Sequence, residues 1–226
     1  MNSSKRHSLF WVPSLYFVEG VPFTIVTIVS LIMYKRLGLS DTQCAAYSGW
    51  LGLPWVIKPL WSPIVEIFKT KRWWILTMQA LMGIALALIA FTIPTHYYVQ
   101  ASLALFFLIA FSSATHDIAA DGFYMTALNE HDQAQYVGIR STFYKLATIF
   151  AEGLLLMYIG SWEVITKNVT DAWSIGLGTI AGLLMLMTVY HLCTLQKTEH
   201  NAHDDQHHLS IKEAAKEFGT TFLSFF

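Results

Sequence analysis

The 226-residue chain is 54% hydrophobic and only 13% charged, with mean hydropathy +0.46. A water-exposed domain of this size carries about 25% Asp, Glu, Lys and Arg, so a wholly solvated surface is excluded. A net charge of −1 supplies no basic stripe for nucleic acid, and the two cysteines, Cys44 and Cys193, stand in apolar stretches without metal-type spacing and read as packing.

Residues 1–8 form a short polar N-terminus in which Lys5 and Arg6 precede an apolar run. That run extends from Leu9 to Met33 and has no small-residue cleavage site. A signal peptide's apolar core is only about 7–15 residues, so this is a retained span. A helix needs about 20 apolar residues to cross a bilayer, and six such stretches lie near 9–34, 43–66, 73–93, 97–128, 136–160 and 172–195. Short polar joints separate them: Lys35-Arg36-Leu37-Gly38, Lys69-Thr70-Lys71-Arg72, Pro94-Thr95, Asn129 to Gln133, and Trp162 to Asp171. The expected fold is an all-α, six-helix transmembrane bundle over 9–195, followed by a polar linker at 196–226.

Lys and Arg counts set orientation. With the N-terminus inside, Lys5, Arg6, Lys69, Lys71, Arg72, Lys197, Lys212 and Lys216 fall on the cytoplasmic side, against Lys35, Arg36 and Lys167 outside. Both termini are therefore expected in the cytoplasm. Asn168-Val169-Thr170 matches a glycosylation triplet of a kind that arises often by chance.

Charges inside apolar spans cost at least about 2.5 kcal/mol each, so their placement carries information. Span 1 holds Glu19; span 2 holds Lys58, with Glu66 at its cytoplasmic end; span 4 holds Asp117 and Asp121; span 5 holds Arg140, Lys145 and Glu152. Spans 3 and 6 hold none. Two charged spans and a neutral one, repeated, is the pattern a three-plus-three inverted repeat leaves, with spans 1, 2, 4 and 5 facing a wet interior and 3 and 6 facing lipid. The alternative is that the charges only pair to hold helices together. Gly20 and Pro22 beside Glu19, and Pro54, Pro59 and Pro63 in span 2, permit bends.

Asp117 and Asp121 lie four residues apart and project from one helix face. Two such acids in a low dielectric do not easily both ionise, which suits a proton carrier. They read equally as salt-bridge partners of Arg140 and of Lys71 or Arg72, and Asp121 stands evenly between gate and proton site. His116 is adjacent to Asp117, but neighbouring helical residues point apart, and it reads as packing. Lys145 and Glu152, seven apart, share a face at two helical turns; Lys145 is a candidate for attracting an anionic solute, and Glu152 for pairing with it or with Lys58.

Three segments together resemble a known family. These are Leu15-Tyr16-Phe17-Val18-Glu19-Gly20-Val21-Pro22, Leu53-Pro54-Trp55-Val56-Ile57-Lys58-Pro59-Leu60-Trp61-Ser62-Pro63, and Ala114-Thr115-His116-Asp117-Ile118-Ala119-Ala120-Asp121. They look like the AmpG-type muropeptide permeases of the major facilitator superfamily, a group that also includes acetyl-CoA transporters. The resemblance covers nearly the whole chain but only the N-terminal half of that architecture. It implies proton-driven import of cell-wall sugar–peptide fragments across a bacterial inner membrane, with Lys58, Asp117 and Asp121 at motif positions. Glu19 replaces the family's commoner Gln. The loop from Ser62 to Lys71 keeps an acid at Glu66 and bases at Lys69 and Lys71 but lacks the superfamily's two glycines.

After Gln196 the chain turns polar, with His200, His203, His207 and His208 in a segment that reads as a solvated loop, and Ile211 to Phe218 as an amphipathic surface helix. The expectation is the N-terminal half of a proton-coupled carrier for a small, anionic, muropeptide-like solute, with lipid, solute, protons and a missing C-terminal half as partners. Glu19, Asp117 and Asp121 are the candidate proton sites. Lys58, Lys145 and Glu152 are the substrate candidates, and Glu66, Lys71, Arg72 and Arg140 the cytoplasmic gate. No cofactor or metal site is expected. Two other classes stay open: a membrane enzyme using the His116/Asp117 region, although no Ser-His-Asp set or phosphate loop accompanies it, and a non-transporting scaffold.

Overall fold

The computed structural model describes residues 3–195. The histidine-rich segment and the expected amphipathic helix lie outside the described residues, as do the side chains of Lys5 and Arg6.

The described chain is helical throughout, without a strand among the described residues, and folds into six rods. Rod 1 runs through α1 (Ser3–Thr24), a π-helical stretch at Ile25–Val29, and α2 (Ser30–Arg36). Rod 2 is broken: α3 (Asp41–Val56), a 3-10 turn at Lys58–Leu60, and α4 (Ser62–Ile67). Rods 3 and 4 are the unbroken α5 (Lys71–Thr92) and α6 (Tyr98–Ala127). Rod 5 joins α7 (Glu130–Ile149), a second π-helical stretch at Phe150–Leu155, and α8 (Leu156–Thr166); rod 6 is α9 (Val169–Thr194).

Local chemistry explains the ends. Ser40 begins α3 with a capping box: its hydroxyl accepts from the Gln43 amide, and the Gln43 side chain accepts from the Ser40 amide. Thr70, Asn129 and Asn168 cap α5, α7 and α9 in the same sense, each side chain accepting from an amide two or three residues on. Asn168, the residue of the glycosylation triplet, thus has a structural task. Gly38 follows rod 1 at φ +97°, a left-handed position that glycine occupies without a Cβ penalty.

Rod 2 breaks for a reason visible in its sequence. Lys58 and Ser62 each precede a proline, and residues before proline are pushed out of the α region. The bend remains bonded, with the Leu60 amide on the Ile57 carbonyl at 3.0 Å and the Trp61 amide on the Lys58 carbonyl at 3.3 Å. Irregular backbone at membrane depth survives only where such partners exist. The other five rods are each long and apolar enough to cross a membrane, so this is a multi-pass membrane protein.

Rod 3 packs between rods 4 and 6, rod 1 lies along rod 5 and touches rods 4 and 6, and rod 2 lies on rod 4. Small residues allow the closest approach, as is usual where lipid supplies no hydrophobic drive between helices. A Cβ on Gly20 would meet the Ala147 Cβ at 2.8 Å and the Tyr144 carbonyl oxygen at 2.9 Å. Two apolar clusters fill the bundle. One gathers Val18, Ile25, Phe106, Ala147 and their neighbours; the other gathers Trp11, Leu15, Phe123 and Tyr124. On rod 4, His116 and Asp117 fall in the sequence between the two sets, while on rod 1 Glu19 follows Val18 near the point where one set gives way to the other.

Candidate functional site

The rods bring charges from three helices to one level. Lys58, in the broken turn of rod 2, places its Nζ 3.4 Å from Asp117 Oδ2 on rod 4. Glu19, from rod 1, reaches the same pocket: one ligand atom each of Glu19, His116 and Asp117 lies within 4.8 Å of the others. All three residues are buried. His116 and Asp117 are consecutive, yet both reach Glu19, because a residue of the facing helix can stand between two side chains about 100° apart. That geometry is invisible when a single helix is considered.

One turn further along rod 4, Asp121 Oδ1 takes two partners. Arg140 Nη2 lies at 2.6 Å, and the Tyr16 hydroxyl donates at 3.0 Å. The Arg140 guanidinium also stacks 4.4 Å from the Tyr16 ring centre and 5.0 Å from that of Tyr124, a cation–π arrangement. Of the two carboxylates on the shared face, Asp121 is therefore matched by a full cation and a hydroxyl. Asp117 has its ammonium on one oxygen only, and its Oδ1 has no partner among the described residues.

The gate candidates separate into distinct contacts. Lys71 lies 2.6 Å from Glu66 Oε2 and donates to the Val65 carbonyl at 3.1 Å. Its stem crosses rod 4 at Gly122, where a Cβ would meet Lys71 Cε at 2.9 Å. Arg72 bonds instead to the Leu192 and Leu195 carbonyls at 2.7 and 3.0 Å, tying the start of rod 3 to the end of rod 6. A cation there meets orphan carbonyls at a helix C-terminus. Lys145 and Glu152 are exposed and make no ion pair with each other or with Lys58. At the opposite end of the bundle Arg36 of rod 1 pairs with Glu163 of rod 5, which also accepts from the Trp173 indole at 3.2 Å.

Two side chains bonded to this pocket carry no charge and do not stand out in the sequence. Gln79, fully buried on rod 3, lies 2.9 Å from His116 Nε2 and 2.9 Å from His191 Nδ1 on rod 6; His191 Nε2 lies 3.0 Å from the Ser14 hydroxyl on rod 1. A continuous chain, Ser14–His191–Gln79–His116, thus links all three neighbouring helices to the acidic pocket. The available signal is modest: Gln79 is the one amide inside the apolar run 73–93.

The profile of the BT1 family matches residues 20–215, which include Lys58, His116 and Asp117 of the pocket and begin one residue after Glu19. The chain belongs to the BT1 family. It is 29% identical over 154 residues to the anhydromuropeptide permease of Escherichia coli, a match covering 66% of this chain and 31% of that protein. A folate-biopterin transporter of Synechocystis is 30% identical over 173 residues, covering 73% and 35%. An uncharacterised protein of Schizosaccharomyces pombe is 27% identical over 164 residues, covering 66% and 31%. The matches thus span about a third of the length of these BT1-type relatives. Two of the three bear the names of a permease and a transporter, in line with the family resemblance of the three sequence segments.

Proposed function

We propose that the chain forms one half of a secondary transporter that moves a small anionic solute, a muropeptide-like sugar–peptide, driven by a proton gradient. One observation carries this reading: Glu19, Asp117 and Lys58, from three different rods, meet in a buried pocket at the bend of a broken helix. Discontinuous helices and mid-membrane charges are how secondary carriers build solute and ion sites between repeated halves. Glu19 and Asp117 would take and release the coupling proton. Lys58 would exchange Asp117 for the solute's anionic group. Asp121–Arg140 and Glu66–Lys71 would hold the cytoplasmic side closed, with Arg72 bracing rods 3 and 6. The exposed Lys145 and Glu152, on the uncovered face of rod 5, would meet a second six-helix half of major-facilitator type. Both termini would lie in the cytoplasm, on the Lys and Arg bias. The names of the Escherichia coli and Synechocystis relatives favour a carrier over an enzyme or a scaffold.

The test is uptake into proteoliposomes that hold the chain together with the rest of its carrier. Labelled anhydromuropeptide should accumulate under an imposed inward proton gradient, and a protonophore should abolish it. Asp117→Asn should remove gradient-driven accumulation while leaving assembly intact. Unaltered accumulation in that variant, or uptake indifferent to the gradient, would overturn the reading.

A further inference from the structure

We propose that Glu19, His116 and Asp117 form a binding site for a divalent first-row transition-metal cation, buried between rods 1 and 4. Among the described residues, Glu19 Oε2, His116 Nδ1 and Asp117 Oδ1 have no hydrogen-bond partner, and neither does the indole Nε1 of Trp55, which lies beside Asp117. Each residue as a whole is about nine-tenths buried or more, and one ligand atom from each lies within 4.8 Å of the others. Buried polar atoms without partners are rare, because leaving one unsatisfied is strongly unfavourable. These atoms belong to three residues that each offer a ligand atom within 4.8 Å of the others, an arrangement that a shared cation would fill.

Charge identifies what it is. The pocket holds two carboxylates and one ammonium, Lys58, which is engaged on the other oxygen of Asp117. The next cation, Arg140, is committed to Asp121. Either the coupling proton or a metal cation balances the remaining charge, and for a metal the imidazole selects the class. Sodium, magnesium and calcium prefer oxygen ligands alone, whereas zinc, cobalt and their neighbours take neutral imidazole with carboxylates.

A ligating His116 must carry its proton on Nε2 and present a lone pair at Nδ1. The polar chain behind it can enforce that state. The Gln79 amide is interchangeable between its two orientations. The structure places the amide nitrogen on His116 Nε2 and the oxygen on His191 Nδ1; turned over, the oxygen accepts from His116 Nε2–H and the NH2 donates to His191 Nδ1. His191 Nε2–H then donates to the Ser14 hydroxyl, which donates to the Phe10 carbonyl at 3.0 Å. Every donor finds an acceptor in that direction. Backing a metal-bound histidine with a fixed acceptor is the usual way such a ligand is oriented. Three protein ligands leave coordination positions open. With a dication bound beside Lys58, the pocket has one net positive charge that an anionic solute group would neutralise.

The site shares atoms with the proton sites of the carrier reading, so metal and proton exclude one another there. Its test is equilibrium binding, which is measurable whether or not a solute moves. The full chain, purified in detergent with His200, His203, His207 and His208 replaced by alanine so that the tail offers no imidazole, is titrated with Co2+ and then Zn2+. We expect one equivalent of Co2+ with visible d–d absorption, displaced by Zn2+ and unaffected by excess Na+. Glu19→Gln and His116→Ala in that background should each bind at least roughly tenfold more weakly, the minimum that even supporting residues of metal sites show. Should His116→Ala not fold, the isosteric Glu19→Gln decides. Isotherms identical in the parent and both variants, or displacement of Co2+ by Na+, would overturn the proposal.

Discussion

Replacing Gly20 by alanine adds one methyl group where rods 1 and 5 touch. The added Cβ would stand 2.8 Å from the Ala147 Cβ and 2.9 Å from the Tyr144 carbonyl oxygen. Carbon atoms prefer separations of about 3.5–4.0 Å, so the rods must part by roughly 0.7 Å or more. Neither neighbour can give way, since one is a backbone atom and the other a methyl fixed to the helix. Overpacking of this kind costs typically about 1–3 kcal/mol. Gly182 on rod 6 has open space around its Cβ position, and alanine there should gain up to about 1 kcal/mol from helix propensity alone. Equilibrium unfolding in mixed detergent micelles should therefore shift in opposite directions for the two variants. Because Glu19 is the preceding residue, the Gly20 variant should also perturb the acidic pocket, read as weakened cation or solute binding. A Gly20→Ala protein as stable as the wild type, with binding intact, would show that the rods do not meet as closely as described.

Lys58→Met removes the ammonium from Asp117 while keeping most of the side-chain volume. The pair is mostly buried, at 31% and 13% side-chain exposure, so the orphaned carboxylate should destabilise the chain by about 1–3 kcal/mol; adding Asp117→Asn should recover part of that loss, measured by a double-mutant cycle in the same unfolding assay. Gln79→Leu strips both imidazoles of a partner, and with roughly 1–3 kcal/mol for each unsatisfied buried group the loss should be about 2–4 kcal/mol, readable as a lowered unfolding midpoint. A near-neutral Gln79→Leu would mean that the polar chain is not a structural link between rods 3, 4 and 6.

Charge in an apolar run is conspicuous, and Glu19, Lys58, Asp117, Asp121 and Arg140 stand out on that basis alone. The break at Lys58–Leu60 is likewise foreshadowed by the three prolines of span 2. What does not show is who meets whom. Glu163 lies 127 positions from Arg36, and no local pattern marks the pairing. Gln79 and His191 are neutral, so attention to charge within the spans passes over them, yet they fill the contact between the two helices that read as lipid-facing. Placing Lys145 and Glu152 on one face assumes a regular helix. The second π-helical stretch starts at Phe150, so the angular phase changes before Glu152 is reached.

Those two wide turns, Ile25–Val29 on rod 1 and Phe150–Leu155 on rod 5, also touch one another. A turn of this type is what a helix makes when it absorbs one surplus residue and still keeps its downstream segment aligned. Deleting a single position inside either turn would restore ordinary pitch and leave both flanking segments aimed as before. The same deletion a few residues away would swing everything downstream by about 100°. Each long helix thus has one place where its length can change by a residue at little structural cost, and in both rods that place is at their mutual contact.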